Sequence, residues 1–373
     1  MNFKFKEVEK IFDVYLFPLA QELYGLDGYK PRFIDRGYEI NEGQNAVYCC
    51  EKEGETPKIF RISFSGRTRE ELLAEAEYIR YLYENGGSVS NVISSRNGNL
   101  LEEITHNNIT CLVSLFDKAK GMQLHENNYR YREGALISEY YYNIGKTIGK
   151  LHQLSKEYTP VHYRHSFFDK FNPKYINELI PDSFALLKSK LTRHLHCLEG
   201  LGYSQEIYGM IHFDYNDSNY SIDFDTGQIT VYDFDNSCFG WYLYDLAYTW
   251  MYGAGWASRE KDTTVRKSIM DDFMNAIVEG YRSETRLEDC LLEKFPFFIN
   301  SVITVLINEA FEHIRSKGEE PENDFGLSYF IKCIEDDIPY MGFFHDIYSC
   351  ETPFEYEDER INHFISTLNK PRK

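Results

Sequence analysis

The period of the hydrophobic pattern changes near Asp117, and this change limits the possible folds more than any other feature of the chain. Before it, apolar residues come in short runs. Residues 32–40, 46–52 and 57–64 read as strands, and 90–94, 99–105 and 109–116 hold two or three more. One helix precedes them at about 5–25, carried by Val8, Ile11, Phe12, Tyr15 and Leu19. Another lies among them at 69–85, with Leu72, Ala76, Ile79 and Tyr83 on one face and a stop at Asn85-Gly86-Gly87. After Asp117 the spacing is mainly helical, over 137–155, 184–199, 241–253, 264–281 and 296–315. Two short strands at 208–213 and 228–234 flank a polar loop and the Asp225-Thr226-Gly227 turn. The expected class is α+β: an antiparallel sheet with one packed helix over 1–117, then a larger, mostly helical part over 118–373. The hinge between them is expected near Lys120-Gly121.

At 373 residues the chain has room for two units of ordinary size. Its 40 basic and 59 acidic side chains leave a net charge of −19, which argues against broad nucleic-acid binding. The eight cysteines form no C-x-x-C pair and no zinc-spaced cluster with histidine. The first residues lack a small-residue secretory cleavage site. No apolar run approaches the roughly 18 residues that a membrane-spanning helix needs. A reducing cytoplasm with free thiols and no membrane partner is the expected setting.

The chemistry concentrates in 211–235, IHFDYNDSNYSIDFDTGQITVYDFD. This stretch holds His212-x-Asp214-x-x-x-x-Asn219 and then Asp233-Phe234-Asp235. Phosphoryl transfer calls for such a set. One carboxylate orients the acceptor hydroxyl and receives its proton, while an amide oxygen and a second carboxylate hold magnesium against the nucleotide phosphates. Magnesium takes oxygen ligands and keeps several waters, so few protein ligands suffice. A strand and an acidic residue at its end follow the loop, and then Gly240-Trp241-Tyr242-Leu243-Tyr244-Asp245-Leu246-Ala247. That order makes an Asx-rich turn without chemistry the poorer explanation.

The succession of motifs resembles the aminoglycoside phosphotransferase and choline kinase-like family, relatives of the protein kinases. It is nearest to bacterial homoserine kinase-like and stress-response kinase members. The resemblance covers nearly the whole chain and is strongest over 205–250. It implies a bilobal protein-kinase-like fold and a donor of ATP or GTP with Mg2+. By the same resemblance Asp214 is the catalytic-loop aspartate, Asn219 and Asp233 are the magnesium ligands, and His212 supports the loop. Asp245 braces the loop from the following helix, and His152 packs at a helix end. Asp235 is an additional carboxylate, equally suited to the metal's surroundings or to holding the loop.

The first half carries weaker marks of the same kind. The segment Asn41-Glu42-Gly43-Gln44-Asn45-Ala46 lies where a loop should cover the nucleotide: Gly43 permits close backbone approach, exposed N–H groups can meet phosphate oxygens, and Asn45 is a further candidate contact, although taken alone the segment reads as a simple hairpin turn. On the strand at 57–64, alternation places Ile59, Arg61 and Ser63 on one face and Lys58, Phe60 and Ile62 on the other. Arg61 fits the family's phosphate-directed cation; Lys58 is the second choice, with a solvated strand end favoured for it. Glu75 fits as the ion-pair partner of Arg61, with Glu77 second. The backbone near Ser114–Phe116 is expected to meet the purine base. Glu309 and Glu312 are candidates to face an acceptor, although a solvated helix face is the commoner reason for such residues.

The expected acceptor is a small-molecule hydroxyl: an aminoglycoside, an amino alcohol, homoserine or a sugar-like alcohol. Two other readings use the same residues. One is a Ser/Thr protein kinase of the stress-response type; the other is a nucleotide-binding pseudokinase.

Overall fold

The computed structural model describes residues 5–35, 45–63, 67–107, 109–254, 262–318 and 325–340. The chain divides into two compact units. The first comprises Met1–Lys120, Tyr158–Arg164 and Thr230–Asp235, and the second Gly121–Glu157, His165–Ile229 and Asn236–Lys373. Gly43 and the acidic stretch 351–360 lie outside the described residues.

The first unit opens with α1 (Phe5–Ile11), a π-helical turn (Phe12–Leu16) and α2 (Phe17–Tyr24), where the periodicity predicts one helix. Pro18 cannot donate to the carbonyl four residues back, and the widened turn lies immediately before it. The sheet has six strands: β1 (Lys30–Phe33), β2 (Asn45–Glu51), β3 (Lys58–Ser63), β4 (Val92–Ile93), β5 (Glu102–His106) and β6 (Ile109–Asp117). Their order is β1-β2-β3-β6-β4, with β5 also on β6, and every pair is antiparallel. β1 covers the start of the run predicted at 32–40, of which 36–40 lie outside the described residues.

Alternation on β3 separates two environments. Phe60 and Ile62 join Phe12, Leu16, Phe17, Tyr48 and Val113 in the core under α1 and α2. Arg61 points to the other face, toward α3 (Arg69–Glu84). Thr68 and Glu71 form a capping box that starts α3. Leu72, Ala76, Ile79 and Leu82 bury its inner face, while Tyr83, expected there, is exposed. Arg164 fastens the returning segments to this unit by donating to the carbonyls of Glu71 (3.1 Å), Phe234 (3.1 Å) and Asp235 (2.5 Å).

The second unit contains α4 (Ile137–Ser155), α5 (Phe167–Lys170), α6 (Pro173–Leu179) and α7 (Ala185–Glu199). Next in the chain come β7 (Tyr208–Ile211), β8 (Tyr220–Ile222), β9 (Ile229–Val231), whose last two residues belong to the first unit, and β10 (Cys238–Trp241). The last helices are α8 (Tyr242–Ala254), α9 (Thr263–Arg282), α10 (Asp289–Leu292), α11 (Phe295–Lys317) and α12 (Phe325–Glu335). β7 pairs with β10, with Ile211 opposite Cys238, and this pairing anchors the start of the 212–219 loop. β8 and β9 form a hairpin, inside which the chain passes from one unit to the other. α5, α6, β8 and β10 escape the periodicity because each is too short to complete a pattern.

α11 has an 18-residue window of mean hydropathy 1.2, apolar enough for a membrane span by composition, yet 61% of that window is buried inside the protein. It is a core helix, packed through residues such as Val302, Ile303 and Ile307. Glycines let α4 and α9 approach closely. A Cβ at Gly145 would overlap the Ile277 carbonyl, and one at Gly280 the Tyr142 carbonyl. Backbone cannot yield there as a flexible side chain would. Gly145→Ala is therefore expected to destabilise the protein by about 1–3 kcal/mol. A denaturant midpoint equal to wild type would show that the two helices separate freely.

Candidate active site

The 212–219 loop belongs to the second unit. The Asp245 carboxylate, fully buried on α8, accepts the backbone N–H of His212 (2.7 Å) and of Phe213 (2.8 Å). Phe213 has φ +72°, an uncommon conformation for a bulky residue. The surroundings hold it there. Its ring stacks on Tyr244 (centroids 4.8 Å apart) and on Phe171 (5.9 Å). One turn on from Asp245, Tyr248 donates to Asp214 Oδ1 (2.6 Å), and Thr249 donates to the Tyr215 carbonyl (2.9 Å). Residues 245, 248 and 249 share a helix face. That face engages four consecutive loop residues, 212 to 215.

Inside the loop, Asn216 Nδ2 also donates to Asp214 Oδ1 (2.7 Å). Asn219 Nδ2 donates to the Asp214 carbonyl (2.8 Å). That bond fixes the orientation of the Asn219 amide, because only its nitrogen can donate to a carbonyl. Its Oδ1 receives no hydrogen bond from a described residue. His152 on α4 stands behind Asp245. Its Nε2 lies 3.1 Å from Asp245 Oδ2 and its Nδ1 3.0 Å from the Tyr281 hydroxyl. A neutral imidazole that donates from Nε2 and accepts at Nδ1 satisfies both.

In the first unit, the Arg61 guanidinium meets both oxygens of Glu75, at 2.7 and 3.0 Å, and Asp235 Oδ1 at 2.8 Å. Arg67 lies 2.8 Å from the same Asp235 oxygen, and the Asn45 amide bonds to the other. Burial alone would lower the Arg61 pKa, but the Glu75, Asp235 and Asp233 carboxylates hold it above the ordinary value. Burial likewise opposes charge on Asp235, yet Arg61 and Arg67 keep its carboxyl below the usual carboxylate range. Asp233 itself takes φ +64°, which aspartate tolerates better than most residues.

The model of the phosphotransferase enzyme family matches residues 38–282. The chain belongs to the phosphotransferase enzyme family. It is a kinase with the protein-kinase-like fold. Amicoumacin kinase of Bacillus subtilis (strain 168) is 25% identical over 347 residues, covering 91% of this chain and 97% of that one. The solved amicoumacin kinase hAmiN superposes with a TM-score of 0.74 at 22% identity, over 91% of this chain and 98% of its own. A microcompartment-associated aminopropanol kinase gives a TM-score of 0.64 at 21% identity, over 87% and 99%.

Several sequence expectations need correction against this family fold. β6 is a central strand, paired along 112–117 by β3 and along 109–113 and 115–116 by β5 and β4. The backbone of Ser114–Phe116 is therefore committed to the sheet instead of open to a base. Ser114 is fully buried opposite Arg61, and the Phe116 ring lies 4.8 Å from the Arg61 guanidinium carbon. Lys58 is not a solvated strand end; its ammonium pairs with Asp117 at 2.7 Å. Glu77 pairs with His162 at 2.8 Å, and Glu312 takes the Tyr175 hydroxyl, with Lys170 at 3.7 Å.

Tyr248, Asn216 and Arg67 escaped the sequence reading. Only the spacing of Tyr248, three residues after Asp245, could have flagged it. Among the described residues no group of three or more His, Cys, Asp or Glu is placed to hold a metal. A magnesium site of one amide oxygen and one carboxylate would not form such a group.

Two measurements test these arrangements. Arg61 and Glu75 side chains are 8% and 0% exposed, so Glu75→Ala strands a buried guanidinium. A loss of about 3 kcal/mol in unfolding free energy is expected, and a loss below about 1 kcal/mol would mean that Asp235 alone satisfies Arg61. The second concerns pH. Burial lowers the His152 pKa despite Asp245, and burial lowers that of His194 to about 4. The unfolded chain takes up these protons first as the pH falls below about 6.5. Their contribution is thus complete above that value and declines below it, toward about 4 for His194. Urea midpoints should fall between pH 7.5 and 5, and fall less in His194→Gln. An equal fall in both proteins would remove His194 from the account.

Proposed function

We propose that this kinase transfers the γ-phosphoryl group of ATP or GTP to the hydroxyl of a small molecule that also carries an amine. Asp214 orients the acceptor hydroxyl and takes its proton. The acceptor oxygen bonds to the γ-phosphorus as the bond from phosphorus to the β-phosphate oxygen breaks, and the nucleoside diphosphate leaves. Holding the hydroxyl in line contributes more than early removal of its proton, because the transition state is loose.

Asn219 and Asp233 are the proposed ligands of Mg2+. The fit rests on the Asn219 amide, whose nitrogen is tied to the Asp214 carbonyl and whose oxygen is left to a hard cation. A divalent cation in that place would neutralise phosphate charge. Arg61, fixed by Glu75, is the proposed partner of the α- and β-phosphates. Asp235, held by Arg61, Arg67 and Asn45, serves the loop in this reading and not the metal. The hAmiN structure was obtained with AMP-PNP, Ca2+ and Ami, which supports a nucleotide, a divalent cation and a small-molecule acceptor here.

The amine is inferred from Glu309. Its side chain opens to solvent, and it makes no hydrogen bond or close ion pair with a described residue. Desolvation by surrounding protein still raises its carboxyl, Asp214 adds to the rise and Lys170 opposes it. A protonated amine would settle that charge while its neighbouring hydroxyl meets Asp214. The aminopropanol and amicoumacin kinases are relatives in keeping with such an acceptor.

The observation that carries the proposal is the double hold on Asp214, by Asn219 at its carbonyl and by α8 at its carboxylate. Asp214→Asn is expected to lower kcat by about 100-fold or more. It should leave the thermal shift with Mg2+ and AMP-PNP intact. ADP release across a panel of amino alcohols, aminoglycosides and neutral sugars reads both points. Retained turnover in the variant would remove Asp214 from its role; preference for neutral acceptors would remove Glu309.

A further inference from the structure

Both donors that reach the Asp214 carboxylate reach the same oxygen. Tyr248 gives its hydroxyl to Oδ1 at 2.6 Å, and Asn216 gives Nδ2 to Oδ1 at 2.7 Å. A carboxylate oxygen accepts about two hydrogen bonds, so Oδ1 is full. Oδ2 receives none from a described residue. We propose that Tyr248 is a positioning residue that selects the reactive oxygen: by filling Oδ1 together with Asn216, it presents Oδ2 to the acceptor hydroxyl. This rests on the reading of Asp214 given above and goes beyond it, since the oxygen and the residue that selects it are new.

Three features fit Tyr248 for this work. It sits on α8, on the face that also holds 212, 213 and 215, so its hydroxyl and the loop backbone are referenced to one rigid element. Its ring is buried and lies 4.5 Å from that of Tyr252, centroid to centroid. Burial, then Tyr252 and the Asp214 carboxylate, raise its pKa far above that of ordinary tyrosine, so it stays a donor throughout the working pH range. The alternative is that the Tyr248 hydroxyl occupies the acceptor's own place and must leave before reaction. The two differ in sign. A positioning hydroxyl speeds transfer, and a plug slows it.

In the transfer step the acceptor donates its proton to Oδ2 while its oxygen bonds to phosphorus. Neither Oδ1 contact has to break. Without Tyr248 the carboxylate can turn about its Cβ–Cγ bond and offer either oxygen, and misaligned encounters become more frequent.

The test uses the full chain with Mg2+ and ATP, read by ADP release, with water alone as acceptor and with the best acceptor of the panel. Tyr248→Phe is expected to lower kcat about 10-fold or more in both assays, with the KM for ATP and the thermal midpoint near wild type. Replacing Tyr248 by 4-aminophenylalanine, which restores a donor at the same place, should recover most of the rate. An unchanged or higher kcat in Tyr248→Phe would overturn the proposal in favour of the plug. Equal losses in both variants would overturn it too, because the donor would then not be the cause. Should the phenylalanine variant not fold, 4-aminophenylalanine against the shape-matched 4-methylphenylalanine makes the same comparison. Asp214→Asn separates the two levels: if that variant is inactive while Tyr248→Phe is fully active, only the choice of oxygen fails.

Discussion

The pair of hydrogen bonds from the His212 and Phe213 backbone to Asp245 is the constraint on which the 212–219 loop depends. A loop cannot hold a bulky residue at positive φ unless something else makes the alternatives worse. Here a fully buried carboxylate accepts two consecutive N–H groups, so relaxing Phe213 would leave two donors unsatisfied in the interior and the carboxylate with His152 alone. The strain turns the chain just before Asp214. Asp245 is in turn oriented by His152, and His152 by Tyr281, so α4, α8 and α9 all bear on one peptide turn. The contacts of Tyr248 and Thr249 continue the same grip along the loop.

Charge is handled differently in the first unit. Two guanidinium groups, Arg61 and Arg67, meet the carboxylates of Glu75 and Asp235. A lone buried arginine would be costly, and a two-pronged pair with Glu75 offsets the desolvation of both. The pairing also fixes direction. Glu75 takes two N–H groups of Arg61 and Asp235 one, so the guanidinium plane is set by the protein's own carboxylates. Lysine, a point charge with rotatable donors, would not be held in that way. The Phe116 ring, lying against the guanidinium, adds a flat apolar floor.

The parts of this arrangement legible from the chain are those encoded by local period or by chemistry at fixed spacing. Phe60 and Ile62 against Arg61 follow from strand alternation, and α4, α7, α9 and α11 from helical spacing. The loop motif marked the stretch whose residues the structure ties together, with Asn219 on the Asp214 carbonyl and Tyr248 on its carboxylate. What stayed hidden depends on a partner distant in sequence. Lys58 looked solvated because Asp117, its counter-ion, lies on a strand 59 residues away. Ser114–Phe116 looked open because pairing on both edges of β6 is a property of sheet order, which alternation does not report. Tyr248 was one of four tyrosines in YLYDLAYTWMYGA, and nothing local marks which of them reaches the loop.

That last point bears on why the chain holds 30 tyrosines and only 3 tryptophans. Around the loop, tyrosine places its ring in the apolar interior and its hydroxyl against backbone or a carboxylate. Tyr215 donates to the Ile144 carbonyl on α4 at 3.2 Å, and the Tyr140 and Tyr220 hydroxyls meet at 2.7 Å. Burial raises the pKa of each of these phenols, so none gives up its proton under ordinary conditions. Phenylalanine would fill the same volume but leave the carbonyl of Ile144 or the oxygen of Asp214 with one partner fewer. Tryptophan donates from the side of a larger ring and cannot accept. A ring with a polar end at its tip therefore serves twice here. It packs the helices together and fastens a strained loop to them, so stability of the second unit and alignment of Asp214 draw on the same side chains.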